Sequence, residues 1–261
     1  MSDILDQILR RKREEVADDR RRQSEAQLLA LARSQDPARG FLKALQRSVD
    51  DGRAAVISEF KRRSPSKGWI NQHADPKTVA AAYQSAGASC LSVLTDRDYF
   101  GGSIEDLQQA RGACALPALR KDFTVDAYQI VQARAIGADA ILLIAAALSR
   151  PELEEHQRTA VELGLDVLVE VHDRAELDQA LEANAQLLGV NNRNLRTFQT
   201  DLNTTLELKA HVPADRLLVT ESGIHRTEDV QLMRSHGVHA FLVGEALMRD
   251  GRPAERFAEL F

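Results

Sequence analysis

The chain has 261 residues, 44% hydrophobic and 28% charged, with 14 Gly and 7 Pro. That composition is globular and excludes a disordered or collagen-like chain. Thirty-four Lys and Arg against 39 Asp and Glu give −5, so net charge argues against a polyanion binder. Cys90 and Cys114 form no C-x-x-C and no metal spacing, which fits buried thiols in a reducing cytoplasm. No stretch approaches the ~18 apolar residues of a membrane span, and no apolar signal core opens the chain. Neither secretion nor membrane insertion is expected.

Residues 2–34 carry a helical pattern, with Ser2-Asp3 as N-cap and Ile4, Leu5, Ile8 and Leu9 at helical spacing. Residues 10–22 are dense in both charge signs. Glu14, Glu15, Asp18 and Asp19 cancel the field that nucleic acid would need, and a solvated helix face with i,i+4 pairs is expected. An apolar seam of Ile4, Ile8, Val16, Leu28, Leu29 and Leu31 should pack this extension, residues 1–48, against the larger body of the chain and help shape its mouth.

From residue 54 the texture becomes a repeat. Eight short apolar runs read as strands: 54–60, 90–94, 118–120, 140–144, 167–171, 187–190, 217–220 and 240–243. Helical patterns separate them, among them 76–86, 125–136, 150–163, 174–181 and 227–235. Gly87, Gly137, Gly164 and Gly237 each stand where a helix must stop before a strand, a place for a left-handed residue. Strands buried on both faces and alternating with helices predict a parallel sheet. Eight such units predict a closed (β/α)8 barrel over residues 49–261, with the leading helical extension completing one structural domain. A doubly wound open sheet would need a G-x-G-x-x-G after its first strand, and none is there.

Function in such a barrel sits at the C-terminal strand ends. There the sequence places Glu59 and Lys61, Lys121 and Asp122, Glu170 and His172, Asn191 to Arg193, Glu221 to Gly223, and Gly244-Glu245. Carboxylates, lysines and amides around one cavity predict proton-transfer chemistry. Ser222-Gly223 and Gly244-Glu245 come after strands 7 and 8, where barrels bind phosphate on main-chain N–H groups, and Ser222 adds a hydroxyl donor. The Glu245 carboxylate is expected to turn away from that anion. The basic turn Lys61-Arg-Arg-Ser-Pro-Ser-Lys-Gly68 lies over the mouth as a lid. His236 and His239 straddle a glycine as surface residues, and no Walker A, H-E-x-x-H or G-x-S-x-G motif occurs.

These stretches resemble the indole-3-glycerol phosphate synthase family of tryptophan biosynthesis. The resemblance is carried by Ile57-Ser-Glu-Phe-Lys-Arg-Arg-Ser-Pro-Ser-Lys-Gly68, Leu91-Ser-Val-Leu-Thr-Asp96 and Leu119-Arg-Lys-Asp-Phe123. Leu168-Val-Glu-Val-His172, Gly189-Val-Asn-Asn-Arg-Asn-Leu195, Thr220-Glu-Ser-Gly-Ile224 and Phe241-Leu-Val-Gly-Glu245 extend it through the barrel. Phe60, Arg63, Trp69 and Ala127 depart from the family pattern, none of them at a reacting group. The resemblance implies a carbon–carbon lyase that takes 1-(2-carboxyphenylamino)-1-deoxyribulose 5-phosphate to indole-3-glycerol phosphate, CO2 and water, with neither cofactor nor metal.

Carried over by residue, the resemblance makes Lys121 the general acid and Glu170 the base. Lys61 would bind the substrate carboxylate and serve as a second acid, with Glu59 and Glu221 holding the lysines. Asn191 and Arg193 would bind polar substrate groups, and Ser64, Phe123 and Leu142 would line the substrate site. Ser222, Gly223, Gly244 and Glu245 would bind the phosphate. The expected setting is a cytoplasmic monomer whose partner is a phosphorylated small molecule, without nucleic acid or membrane. A neighbouring phosphosugar barrel, such as a phosphoribosylanthranilate isomerase-like enzyme, shares the phosphate loops, and a nucleic-acid-binding module would use the basic helix; both stay open at the level of sequence.

Overall fold

The computed structural model describes residues 3–194 and 196–261. The expected N-cap at Ser2 and the Leu195 position of the Asn-Asn-Arg-Asn-Leu motif lie outside the described residues. Eight parallel strands close a barrel: β1 (Ala55–Phe60), β2 (Cys90–Leu94), β3 (Ala118–Lys121), β4 (Ala140–Ile144), β5 (Asp166–Val171), β6 (Leu187–Asn191), β7 (Leu217–Glu221) and β8 (Ala240–Val243). Each pairs with its sequence neighbours, and β1 beside β8, with Ala55 opposite Ala240, completes the ring.

Helices α1 (Asp3–Arg22), α2 (Glu25–Ser34) and α3 (Phe41–Asp50) precede the barrel. The outer layer is α4 (Pro76–Ala86), α5 (Ile104–Gly112), α6 (Ala127–Ala135), α7 (Arg150–Glu162), α8 (Arg174–Glu182), α9 (Asn203–Lys209), α10 (Thr227–Ser235), α11 (Glu245–Met248) and α12 (Pro253–Leu260). Gly87, Gly137, Gly164 and Gly237 all take positive φ between +75° and +96°, the left-handed stop expected at each helix end.

Three features of the leading segment differ from the sequence expectation. Residues 2–34 are not one helix, because Ser24 caps a new one: its side chain accepts the Gln27 N–H while Gln27 reaches back to Ser24. Leu31, expected in the apolar seam, is 46% exposed; the second helix buries Leu28, which was expected there, and Ala32, which was not. The charged run is not simply a solvated face. Arg11 reaches Asp98 and Arg20 reaches Asp126 on the barrel, while Lys12 is buried.

The barrel interior is layered by the two-residue period of its strands. Ala55, Ile57, Cys90, Leu119, Ala140, Leu142, Leu168, Leu187 and Val219 form the apolar lower layers, and Phe41 and Leu45 of α3 plug them from below. Residue 48, the expected limit of the extension, therefore lies within the helix that closes the barrel floor. Continuing the same alternation upward brings Glu59, Lys121, Glu170, Asn191 and Glu221 to the rim.

Candidate active site

Two ion-pair groups face each other across the mouth. Lys121 Nζ lies 2.9 Å from Glu170 Oε2 and 2.8 Å from Glu221 Oε2. Lys61 Nζ lies 2.6 Å from Glu59 Oε1, whose other oxygen accepts the Ser92 hydroxyl at 3.3 Å. The pairings expected for Glu59 and Glu221 are present as geometry. Space for Glu221 comes from Gly189 on the neighbouring strand, where a Cβ would stand 2.0 Å from Glu221 Oε1. Gly244 likewise leaves room for Glu59, 2.5 Å from where its Cβ would be.

Burial and neighbours set the ionisation. Burial alone would lower the Lys121 ammonium, but Glu170, Glu221 and Glu59 outweigh it and hold Lys121 well above the ordinary lysine range. Burial would raise Glu170, yet Lys121, His172 and the Asn191 amide hold it well below the usual carboxylate range. Glu221 goes the other way: burial, reinforced by Glu170 and Glu59, pushes it up despite Lys121. One buried carboxylate is thus firmly ionised and its neighbour is the easier to protonate.

Asn191 bridges these groups to the phosphate loop. Its Nδ2 donates to Glu170 Oε1 at 3.0 Å, and its Oδ1 accepts the Ser222 hydroxyl at 2.9 Å and the Arg193 N–H at 3.1 Å. The Ser222 hydroxyl, expected as an anion donor, is therefore directed at a side chain. What the two loops offer is main chain: the N–H groups of Gly223, Gly244 and Glu245 meet no acceptor among the described residues. Ser222 and Gly223 both adopt positive φ, +62° and +91°, which turns this loop inward. The Glu245 carboxylate reaches Arg249 at 2.9 Å through Oε1 and Arg193 at 4.0 Å through Oε2.

All fourteen residues singled out from the sequence for catalysis, substrate or phosphate border this one cavity: Glu59, Lys61, Ser64, Lys121, Phe123, Leu142, Glu170, Asn191, Arg193, Glu221, Ser222, Gly223, Gly244 and Glu245. Its opposite wall is apolar, built from Leu94, Phe100, Phe123 and Ile144, and α1 roofs it with Ile4, Leu5 and Ile8. Phe100 and Phe198 had no strand-end position to reveal them. The basic turn forms a two-stranded ribbon, Arg63–Ser64 against Gly68–Trp69, but its charge is partly spent elsewhere. Arg62 is fixed to Asp106 at 2.5 Å, and Arg63 lies over the Trp69 ring. Phe60 packs under Arg62, and Ala127 opens α6 behind the Asp126 cap, so the four residues expected to depart from the family pattern fall outside the ion-pair groups.

The family model for indole-3-glycerol phosphate synthase matches residues 5–260. The indole-3-glycerol phosphate synthase of Bordetella pertussis (strain Tohama I) is 53% identical over 260 residues, covering 100% of this chain and 99% of that protein. The chain belongs to the indole-3-glycerol phosphate synthase family. Its activity is that of the family, a carboxy-lyase of tryptophan biosynthesis.

Solved structures show the barrel alone. Thiamine phosphate pyrophosphorylase from Pyrococcus furiosus superposes with a TM-score of 0.60 at 16% identity, over 79% of this chain and 93% of that one. The N-acetylmannosamine-6-phosphate 2-epimerase from Clostridium perfringens gives 0.59 at 14%, with the same coverage. No described helix is long and apolar enough to cross a membrane.

Proposed function

We propose that ring closure, decarboxylation and dehydration of 1-(2-carboxyphenylamino)-1-deoxyribulose 5-phosphate are run in this mouth by Lys121 as acid and Glu170 as base. The observation that carries the assignment is the buried Lys121 ammonium gripped between Glu170 and Glu221 at the rim. The ring carbon bearing the carboxylate attacks the ribulose carbonyl, a carbon–carbon bond forms, and the carbonyl oxygen takes a proton from Lys121. The substrate carboxylate then leaves as CO2, and the aniline nitrogen takes up the electron pair. The hydroxyl leaves as water, protonated by a lysine, while Glu170 takes the proton of the neighbouring carbon that completes the indole double bond.

Lys61 binds the substrate carboxylate and serves as the second acid, oriented by Glu59. Glu221 orients Lys121. Asn191 positions Glu170 and Arg193 binds a polar substrate group, while Ser64 and the apolar wall of Phe123 and Leu142 hold the ring. The phosphate sits on the main-chain N–H groups around Ser222, Gly223, Gly244 and Glu245. Residues 1–48 serve as the helical extension of one structural unit. It acts as a cytoplasmic monomer whose partner is the phosphorylated substrate rather than nucleic acid or membrane.

The test is direct. Purified protein with the anilino-ribulose phosphate should release CO2 and develop indole fluorescence together. An isomerised sugar without CO2 would identify a neighbouring phosphosugar barrel instead.

The phosphate placement has its own test. Ser222→Asp sets a carboxylate within a few ångströms of the dianion; like charges ~4 Å apart in an effective dielectric of about 20 repel by roughly 4 kcal/mol before screening. Half of that is more than a tenfold loss of affinity. The left-handed backbone at residue 222 tolerates Asp, so the effect is one of charge rather than strain. The loss should appear in KM, since the phosphate is held alike in ground and transition states. Ser222→Ala, which removes only the bond to Asn191, should change KM far less. Equal KM values for the two variants would move the phosphate elsewhere.

A further inference from the structure

His172 stands two residues beyond Glu170 at the end of β5, and its ring is 13% exposed. Two carboxylates from different elements grip it. Nδ1 hydrogen-bonds to Glu176 Oε2 of α8 at 3.0 Å, and Nε2 makes a charge contact with Glu170 Oε1 at 3.2 Å that lacks hydrogen-bond geometry. Glu176 Oε2 also accepts the His172 main-chain N–H at 2.8 Å, which fixes it in place. With Nδ1–H given to Glu176, a neutral ring would leave an Nε2 lone pair 3.2 Å from the Glu170 anion, and the imidazolium turns that repulsion into attraction.

We propose that His172 is a positioning residue for Glu170: a permanently charged imidazolium, locked by Glu176, that holds the Glu170 carboxylate ionised and oriented through the catalytic cycle. The proposal rests on Glu170 acting as the base. Its physical point is what happens when Lys121 gives up its proton. At that moment Lys121 ceases to balance Glu170, and a buried carboxylate without a cation would take up a proton itself. His172 supplies a second cation that does not take part in the chemistry. Oε1 then stays with His172 and Asn191, while Oε2 remains for Lys121 and the substrate.

The surrounding groups agree. Facing this pair are Lys121 from β3, Glu221 from β7, Glu59 with Lys61 from β1, and Glu176 from α8; β6 presents the neutral Asn191, and the Ala145–Ala147 turn after β4 presents no titratable side chain. Burial would lower the imidazolium, but Glu170 and Glu176 outweigh it and push His172 up to about 10. A raised histidine stabilises the fold fully below its ordinary value of 6.5, and that contribution is lost as pH rises through about 10.

Nitrogen-15 NMR of the full chain, with the His172→Gln variant assigning the signal, reads the ring directly. Both ring nitrogens should be protonated from pH 7 to pH 9, and a neutral ring at pH 7.5 would overturn the proposal. Kinetics give the second readout. Removing the cation raises the Glu170 carboxylate, so His172→Gln should move the acidic limb of the kcat profile upward by about one pH unit. The expected cost in kcat is about tenfold below the limb and small near pH 8.5, with KM little changed. Glu176→Gln, which leaves the ring in place, should shift the limb the same way by less. An unmoved limb in both folded variants means His172 is structural only, whereas near-native turnover of Glu170→Gln would instead remove Glu170 from the reaction while the NMR result stands by itself.

Discussion

Replacing Lys121 by alanine should lower turnover by at least ~10²-fold, the lower range for loss of a positioned general acid. The proton moves only as charge develops on the carbonyl oxygen, so the loss should fall on kcat more than on KM. Lys121 is also the cation between Glu170 and Glu221, two carboxylates on neighbouring sides of the mouth. Without it Glu221, already pushed up by burial, takes a proton and relieves part of the repulsion, so the barrel should remain folded by circular dichroism. Steady-state formation of the indole product is the measurement. A folded variant that keeps turnover within about threefold of the parent would take Lys121 out of the mechanism.

The rim position of Lys121 was legible in the sequence because strand geometry is simple, whereas its role as acid is implied only by the family resemblance. A period of two, counted from an apolar run, fixes which residue points inward at the rim. Glu59, Lys121, Glu170, Asn191 and Glu221 all continue the inward series of their strands, and all border one cavity. Residues beyond strand ends are less readable, since loop paths depend on what they pack against. Phe100 and Phe198 reach the cavity from such loops, and their sequence neighbourhoods carry no period to extrapolate. His172 was visible as a position, but its partner Glu176 belongs to the next helix, and only the fold brings the two together. Nor could composition tell that the Ser222 hydroxyl would be taken by Asn191. The break at Ser24 did have a signal, Ser-x-x-Gln, lost in a run dominated by charge.

The charged helix α1 holds the second large effect. Lys12 lies on the same helical stripe as Leu5, Leu9 and Val16, all buried, so helical spacing alone puts it on the packed face. Its Nζ lies 3.0 Å from Asp96 Oδ2, 2.9 Å from Asp122 Oδ1 and 2.7 Å from Glu15 Oε2. Asp96 and Asp122 are themselves fixed to the barrel: Asp96 accepts the Tyr99 N–H at 2.8 Å, and Asp122 accepts the Thr95 hydroxyl at 2.6 Å and pairs with Arg120 at 3.3 Å. Lys12→Met keeps an unbranched side chain only one atom shorter and removes the charge, leaving buried carboxylates short of their cation. Breaking such a pair from one side costs about 3–5 kcal/mol, a shift of several degrees or more in the melting temperature of a chain this size.

The pH dependence of the Lys12→Met loss identifies its cause. Burial would raise Asp122, and Lys12 with Arg120 pulls it well below the usual range; that stability is present above the ordinary carboxylate value and lost as pH falls toward the folded one. Without Lys12 the balance tips toward burial, and protonation then relieves the variant as pH falls. The stability gap between parent and variant, from urea unfolding, should therefore be widest near pH 8 and narrow toward pH 5. Asp96→Asn in the same background should recover part of it, because one stranded charge is gone. The kinetic consequence comes from the roof: Ile4, Leu5 and Ile8 border the cavity from the turns just ahead of Lys12, so loosening α1 should raise KM before it lowers kcat. A variant as stable as its parent at pH 8, or a gap that does not change with pH, would show that Lys12 adds no net ionic anchorage to the barrel.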